Sequence, residues 1–403
     1  MNLARRMESI NPFRVVDVME QAWASERAGR SIVHFEVGEP DFGTPAPVAE
    51  AAARAIADGR VRYTPSLGIP PLREAISGYY ASRLGVDVDP RRVVVTTGAS
   101  AALLLALAAT VDRDDRILLT DPGYPCNRNL IRLCEGFPQP VPVESGSDYQ
   151  LTAELVAEHW QPSTRGVLLA TPSNPTGTVV PPAELAAIAA EVAGRGGLCF
   201  VDEIYGELVY DRPPATVLSA TAEPFVINSF SKTFGMTGWR LGWMVCPEWA
   251  LPAVQVLAQN AYISPPAPAQ YGALAAFTPE VWSIVEERRA AFRARRDRLT
   301  SGLREIGFGV PVTPQGAFYV YARVDAFLSG PAESSFDLAE RLLSRAGVAV
   351  VPGADFGDFQ PERHVRFSYT TGQDQIAEGL RRLAGYLRLG SPQIESSSSR
   401  SPV

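Results

Sequence analysis

Lysine is almost missing from this chain. Lys and Arg together number 37 among 403 residues, and Lys232 is the single lysine; the rest are arginine. Cysteine is scarce too: there are 4, and Cys126, Cys134, Cys199 and Cys246 form no C-x-x-C pair. The histidines, His34, His159 and His364, stand far apart. These shortages exclude a disulfide framework and a structural zinc site, so no metal is expected and the cytoplasm is the expected compartment. Long apolar runs are absent as well. The richest, Ala99–Val111, is too short to span a bilayer, and residues 1–29 lack the apolar stretch of a signal peptide. Positive charge is in deficit. A net charge of −7 and a pI of about 5.3 give no basic field for nucleic acid or anionic lipid. No repeat of about 20–50 residues is visible. No G-x-G-x-x-G follows an early strand, which excludes a nicotinamide dehydrogenase built on that motif.

What is present is a large apolar inventory. Hydrophobic residues make up 46% and charged residues 20%, enough for a sizeable core split over two domains and too much for a disordered chain. Short apolar strands alternate with helical stretches. Strands are expected at Arg92–Thr97, Arg116–Thr120, Gly166–Ala170, Leu198–Val201, Phe225–Asn228 and Leu241–Cys246. Helices are expected at Ala99–Val111, Pro181–Arg195, Leu251–Asn260 and Pro279–Ile306. This alternation predicts an α/β fold with a mostly parallel central sheet covered by helices. After Pro311 the pattern changes. Ala317–Val324, Val348–Val351 and His364–Tyr369 read as strands, Phe336–Ala346 and Gln373–Leu387 as helices. The expected division is a large domain over 45–290, a smaller α+β domain from 1–44 and 291–390, and a disordered serine-rich tail over 391–403.

The polar residues collect just after the strands. Gly98-Ala99-Ser100 opens a helix, where backbone N–H groups suit a phosphate; an ordinary helix start reads the same way. Asp121-Pro-Gly-Tyr124, Thr171-Pro-Ser-Asn174 and Asp202-Glu-Ile-Tyr205 follow three further strands, and Ser229-Phe-Ser231-Lys232 follows a fourth, with Arg240 eight residues beyond the lysine. If the strands are parallel neighbours, all five loops share the edge where ligands bind in open α/β sheets. A guanidinium always carries its proton. Only a lysine whose pKa is lowered can act as an amine nucleophile and form a Schiff base, so a lone lysine in such a loop is a catalytic candidate. Asp202 ends an apolar strand and needs a partner, either as a helix cap or against a cationic ring nitrogen. Tyr124 offers an aromatic face, and Tyr205 and Asn174 a hydroxyl and an amide. Ser229, Ser231 and Arg240 complete a phosphate cup, although a solvated loop arginine is equally ordinary. Each of these signals alone is weak. Together they describe pyridoxal phosphate, which requires a lysine and an acidic partner for its ring nitrogen.

The segment Ser229-Phe-Ser-Lys-Thr-Phe-Gly-Met-Thr-Gly-Trp-Arg-Leu-Gly242 resembles the cofactor-attachment signature of class I aminotransferases. The resemblance extends over Gly38-Glu-Pro-Asp-Phe42, Tyr63-Thr-Pro-Ser-Leu-Gly68, Gly98-Ala-Ser100, Asn174-Pro-Thr-Gly177, Asp202-Glu-Ile-Tyr205 and Arg366-Phe-Ser368. It implies the fold type I architecture of aspartate aminotransferase-like enzymes and ping-pong transfer of an amino group from an L-amino acid to a 2-oxo acid. Lys232 would bond the cofactor aldehyde and later move the proton at the substrate Cα. Asp202 would hold the ring nitrogen protonated, Tyr205 and Asn174 would bond the ring oxygen, and Tyr124 would stack on the ring. Gly98, Ala99, Ser100, Ser229, Ser231 and Arg240 would surround the phosphate. Tyr63 would reach the phosphate of a second subunit, which implies a homodimer with shared sites. Arg366 would grip the substrate carboxylate, helped by Asn174 and the backbone of Gly38.

One position departs from the pattern. In the aspartate-specific bacterial branch of the family a lysine stands where this chain has Ser100, and it helps hold the distal carboxylate. Arg14, Arg27 or Arg296 would be the substitutes for it, and Phe13, Ile32 and Tyr262 the candidates for an apolar side-chain pocket instead. Other reactions on the same scaffold, a carbon–sulfur lyase or an ACC-synthase-like cyclisation, use the same lysine and aspartate. A regulatory protein with an aminotransferase-like domain would need an added DNA-binding segment, for which the first 30 residues are too short.

Overall fold

The computed structural model describes residues 3–389 apart from 222 and 331; the tail expected at 391–403 lies outside the described residues. Among the described residues, twelve strands follow one another along the chain. They are β1 (Val33–His34), β2 (Val93–Thr96), β3 (Arg116–Asp121), β4 (Phe137–Pro142), β5 (Thr164–Ala170), β6 (Leu198–Asp202), β7 (Phe225–Ser229), β8 (Gly242–Val245), β9 (Tyr319–Arg323), β10 (Val348–Ala349), β11 (Val351–Pro352) and β12 (His364–Ser368).

The central sheet has seven strands in the order β2-β8-β7-β6-β5-β3-β4. All run parallel except β8, which pairs antiparallel with both β2 and β7. The carboxyl ends of β2, β3, β5, β6 and β7 therefore share one edge, although β8 separates β2 from β7. Because β8 runs the other way, its amino end, with Arg240 just before it, lies at that same edge. Successive strand residues feed opposite faces, as the pleat requires. Val93, Val95, Leu118, Cys199 and Val201 enter one core, and Val94, Ile117, Leu119 and Phe200 enter the other. Both faces are covered by helices, which explains why these strands read as continuous apolar runs.

β4 was not evident in the sequence. Its residues, Phe-Pro-Gln-Pro-Val-Pro, carry three prolines. Proline lacks an N–H for the ladder and is tolerated on an edge strand, which is where β4 sits. The segment expected as one strand at Val348–Val351 is two short strands, β10 paired with β1 and β11 paired with β12.

Apart from these two layers against the sheet, which together make the first core, a second core surrounds β9 and β12, with Phe35, Phe292, Leu299, Leu303, Phe318 and Phe367 among its members. The helix Pro279–Ile306 serves both, giving Val281 and Val285 to the first core and Phe292, Leu299 and Leu303 to the second. Thr278 caps its start by accepting from the Val281 N–H, and Gly307 ends it at φ 114°. The helix Arg14–Arg27 was not read from the sequence. Val15, Val18, Met19 and Ala22 do recur at helical spacing, although only Ala22 of this helix is buried.

Candidate active site

At the carboxyl edge of the sheet lies a cavity of about 310 Å³. Gly38, Ala99, Ser100, Tyr124, Asn174, Asp202, Tyr205 and Lys232 line it, with Arg366 from β12. Lys232 sits on the single helical turn Phe230–Thr233 that follows β7, and the Ser229 side chain starts this turn by accepting from the Ser231 N–H. The Lys232 Nζ donates to the Gly38 carbonyl at 2.8 Å. Burial above all pushes its pKa down from 10.5 to about 8; Arg366 and Arg240 push the same way, while Glu39 and Asp202 oppose them.

Asp202 ends β6 and accepts from the Ile204 N–H at 3.1 Å. Burial raises its pKa to about 6, against the Ile204 N–H and the Lys232 charge. A carboxylate in such surroundings gains most from a cationic partner in the cavity. The Tyr205 hydroxyl meets the Tyr319 hydroxyl at 2.9 Å, and burial raises both phenols. Tyr124 faces the cavity with Phe13 edge-on, centroids 6.0 Å apart.

Arg366 is 2% exposed. It donates to the Asn174 side-chain oxygen at 3.0 Å and to the Glu36 carbonyl at 2.6 Å, and it lies over the rings of Tyr319 and Phe356. Its Nε has no partner. An unsatisfied buried guanidinium donor beside an open cavity is set to receive an anion.

The loop between β2 and the helix Ala99–Thr110 passes through Gly98 at φ 93°. A Cβ there would stand 2.7 Å from Arg240 Nη2, and a Cβ at Gly242 would stand 2.8 Å from the Ala99 nitrogen. Only glycine permits this close approach of the helix start, β8 and the guanidinium. Ser229 Oγ donates to the Leu241 carbonyl at 3.0 Å and accepts from the Ser231 hydroxyl at 2.9 Å, while Arg240 Nη1 donates to the Thr237 carbonyl at 2.9 Å. Hydroxyls, a helix N-terminus and a guanidinium thus converge, which is a phosphate-binding arrangement. A pyridoxal phosphate fits this donor set: an amine of lowered pKa for its aldehyde, a buried carboxylate for its ring nitrogen, and the cup for its phosphate. Gly98, Ser229, Ser231 and Arg240 form this cup without lining the cavity itself, and Tyr63, 81% exposed, does not line it either.

The family model for aminotransferase class I and II matches residues 30–383. This chain belongs to that family. It is 40% identical over 380 residues to a valine–pyruvate aminotransferase of Mycobacterium tuberculosis, covering 94% of this chain and 97% of that protein. It is 36% identical to an aspartate/prephenate aminotransferase of Thermus thermophilus, over 96% and 98% of the two chains. A crystal structure of an aminotransferase from Mycobacterium tuberculosis superposes with a TM-score of 0.92 at 39% identity, covering 96% of this chain and all of the other. The aminotransferase is a pyridoxal-phosphate-dependent transferase of amino groups, with amino acids and 2-oxo acids as substrates. The relatives are named as transferases, which does not favour the lyase or cyclisation reading.

Several sequence candidates for side-chain recognition are elsewhere. Ile32 packs with Ala22, Leu343 and Ala349, and Tyr262 packs beside the helix-covered face of the sheet; neither lines the cavity. Arg296 is held by Asp211, Asp297 and the Pro314 carbonyl, and Arg14 lies over the Phe336 ring. Arg27 is exposed at the end of its helix and is absent from the cavity wall. Phe13 does line the cavity. Three functional neighbours escaped the sequence reading. Tyr319 carries the Tyr205 hydroxyl, Glu36 carries the Arg366 guanidinium through its carbonyl, and Asp355 accepts from the Arg14 and Val15 N–H groups and so fixes the start of the helix Arg14–Arg27. Tyr319 belonged to a visible strand, but no local signal marks which face of that strand meets the site.

Proposed function

We propose that Lys232 is the amine that bonds the cofactor and the base that moves the proton at the substrate Cα. The observation that carries this is the Lys232 amine, the single lysine of the chain, held in the cavity between Gly38, Asp202 and Arg366. Pyridoxal phosphate, when bound, supplies an aldehyde for condensation with amines and a cationic ring that accepts electron density. Asp202 keeps that ring nitrogen protonated. Tyr205, steadied by Tyr319, and Asn174 direct a hydroxyl and an amide to the ring oxygen, and Tyr124 covers one ring face. Gly98, Ala99, Ser100, Ser229, Ser231 and Arg240 hold the phosphate. Arg366 binds the substrate α-carboxylate in a two-pronged contact with Asn174 and the Gly38 backbone nearby, and so aims the Cα–H bond at Lys232. Near-neutral acidity of the freed lysine suits proton transfer in both directions.

The exposure of Ile56, Val61 and Tyr63 supports a homodimer in which Tyr63 serves the partner's phosphate site. The two cores support a division near residues 45 and 290, with 1–44 and 291–390 together. Four unpaired cysteines support a reducing, cytoplasmic setting.

The test uses the single lysine. Borohydride reduction of the loaded protein should add the cofactor's mass to the peptide that contains Lys232, and Lys232→Arg should lose both that mass and turnover. Unmodified Lys232 in a loaded, reduced sample refutes the assignment. Amino acid added alone should convert the cofactor once, without ammonia; sustained ammonia release would mean lyase chemistry.

A further inference from the structure

The cavity extends past Arg366 toward the helix Arg14–Arg27. Val15, Val16 and Met19 of that helix, together with Phe13, line it there, and Val37 and Leu130 add to the wall. Val15, Val16 and Met19 are spaced so that they lie on one helical face. The accessible lining of the cavity is 

mostly apolar in consequence. Among the described residues, its only lining cations are Lys232 and Arg366. Both already have work in the reading above, on which this inference rests. The remaining charges in the wall are acidic: Glu36, Glu39 and Asp202.

Glu36 is the informative one. It is fully buried, at 0% exposure, on the segment leading from β1 into the site. One carboxylate oxygen is bonded to His34 Nδ1 at 2.6 Å, and His34 Nε2 reaches Glu26 on the helix Arg14–Arg27 at 3.1 Å. The other oxygen has no partner. Two acidic side chains thus share one imidazole, so this buried group holds one acid more than it has bases. Arginines that might have answered a second substrate carboxylate are committed elsewhere. Arg128 is engaged with Asp121 and the Phe356 carbonyl, Arg296 with Asp211, and Arg14 with Phe336.

We propose that the amino donor carries a neutral apolar side chain lodged against Val16 and Met19, and that Glu36 is a specificity-determining residue that rejects donors with an acidic side chain. An acidic side chain would lose its hydration against this wall, find no further cation in it, and stand near the buried Glu36–His34–Glu26 group, which holds more acids than bases. An aliphatic one gains burial at no electrostatic cost. Discrimination by missing partners of this kind can exceed what a methylene contributes.

The experiment compares L-leucine, L-valine, L-aspartate and L-glutamate in single-turnover conversion of the loaded enzyme, followed by cofactor absorbance. The aliphatic donors should exceed the acidic ones by about 100-fold or more in second-order rate. Met19→Arg should narrow that gap by raising the acidic donors and lowering the aliphatic ones, and Glu36→Gln should raise the acidic donors. Borohydride trapping at Lys232 monitors the integrity of the cofactor site in each variant. Acidic donors matching or exceeding aliphatic ones in the unaltered enzyme overturns the proposal while leaving the assignment of Lys232 intact. Trapping at Lys232 without conversion by any donor would instead overturn the role of Arg366 and Lys232 toward substrate, and this proposal with it. A gap left unchanged by both substitutions removes Met19 and Glu36 as its cause.

Discussion

The acidity of Lys232 can be measured without substrate. In the cofactor-free protein its ammonium should lose its proton near pH 8 rather than at 10.5. A difference of that size corresponds to about 3 kcal/mol in favour of the neutral amine. At pH 7.4 about one molecule in five would then carry a neutral amine, against about one in a thousand for an ordinary lysine. Its causes are separable. Burial dominates, Arg366 and Arg240 add to it, and Glu39 and Asp202 work against it. Arg366→Met should therefore raise the midpoint, and Asp202→Asn should lower it. Competitive acetylation across pH, read as acetyl mass on the Lys232 peptide, reports a single side chain because the sequence holds no other lysine. The folded chain gives up this proton at lower pH than the unfolded chain. Between about pH 8 and 10.5 the unfolded state holds more protons, and this group makes the cofactor-free protein more stable as pH rises through that window. A midpoint at or above 10, or shifts of the same sign in the two variants, would refute the electrostatic account.

Three further outcomes are expected. Gly98→Ala forces a side chain into φ 93° and against Arg240; it should weaken binding of pyridoxal phosphate about tenfold, an effect of about 1.4 kcal/mol, while leaving binding of unphosphorylated pyridoxal unchanged in equilibrium dialysis. Tyr319→Phe leaves the buried Tyr205 hydroxyl without its 2.9 Å partner and should cost about 1–3 kcal/mol of stability in denaturant titration. Leu299→Ala empties a fully buried position in the second core and should cost about 2–5 kcal/mol, with full conversion of cofactor by amino acid retained.

Much of the site was legible because the sheet organises it. Once β2, β3, β5, β6 and β7 were recognised from their apolar runs, the residues after each could be gathered at one edge, and Asp202, Lys232, Asn174 and Tyr124 line one cavity there. What the sequence hid has physical causes. β8 runs antiparallel, a fact no apolar run encodes, and this reversal is what carries Arg240 to the same edge as the other loops. β4 was masked by its prolines. Glu36 and Tyr319 act through contacts with Arg366 and Tyr205 that lie far away in sequence, so neither stands in a motif. Ile32 and Tyr262 were reasonable apolar candidates, but composition cannot tell a side chain that lines a cavity from one that packs in a core.

Arg366 binds Asn174 and the Glu36 carbonyl across 192 and 330 residues of chain. Its strand comes after the other eleven described strands in the chain. On the role proposed for Arg366, a chain that had folded only its central sheet, lysine included, would be unable to capture an amino acid, because the arginine and both of its supports meet only when that strand docks. Competence to take substrate would then report finished assembly.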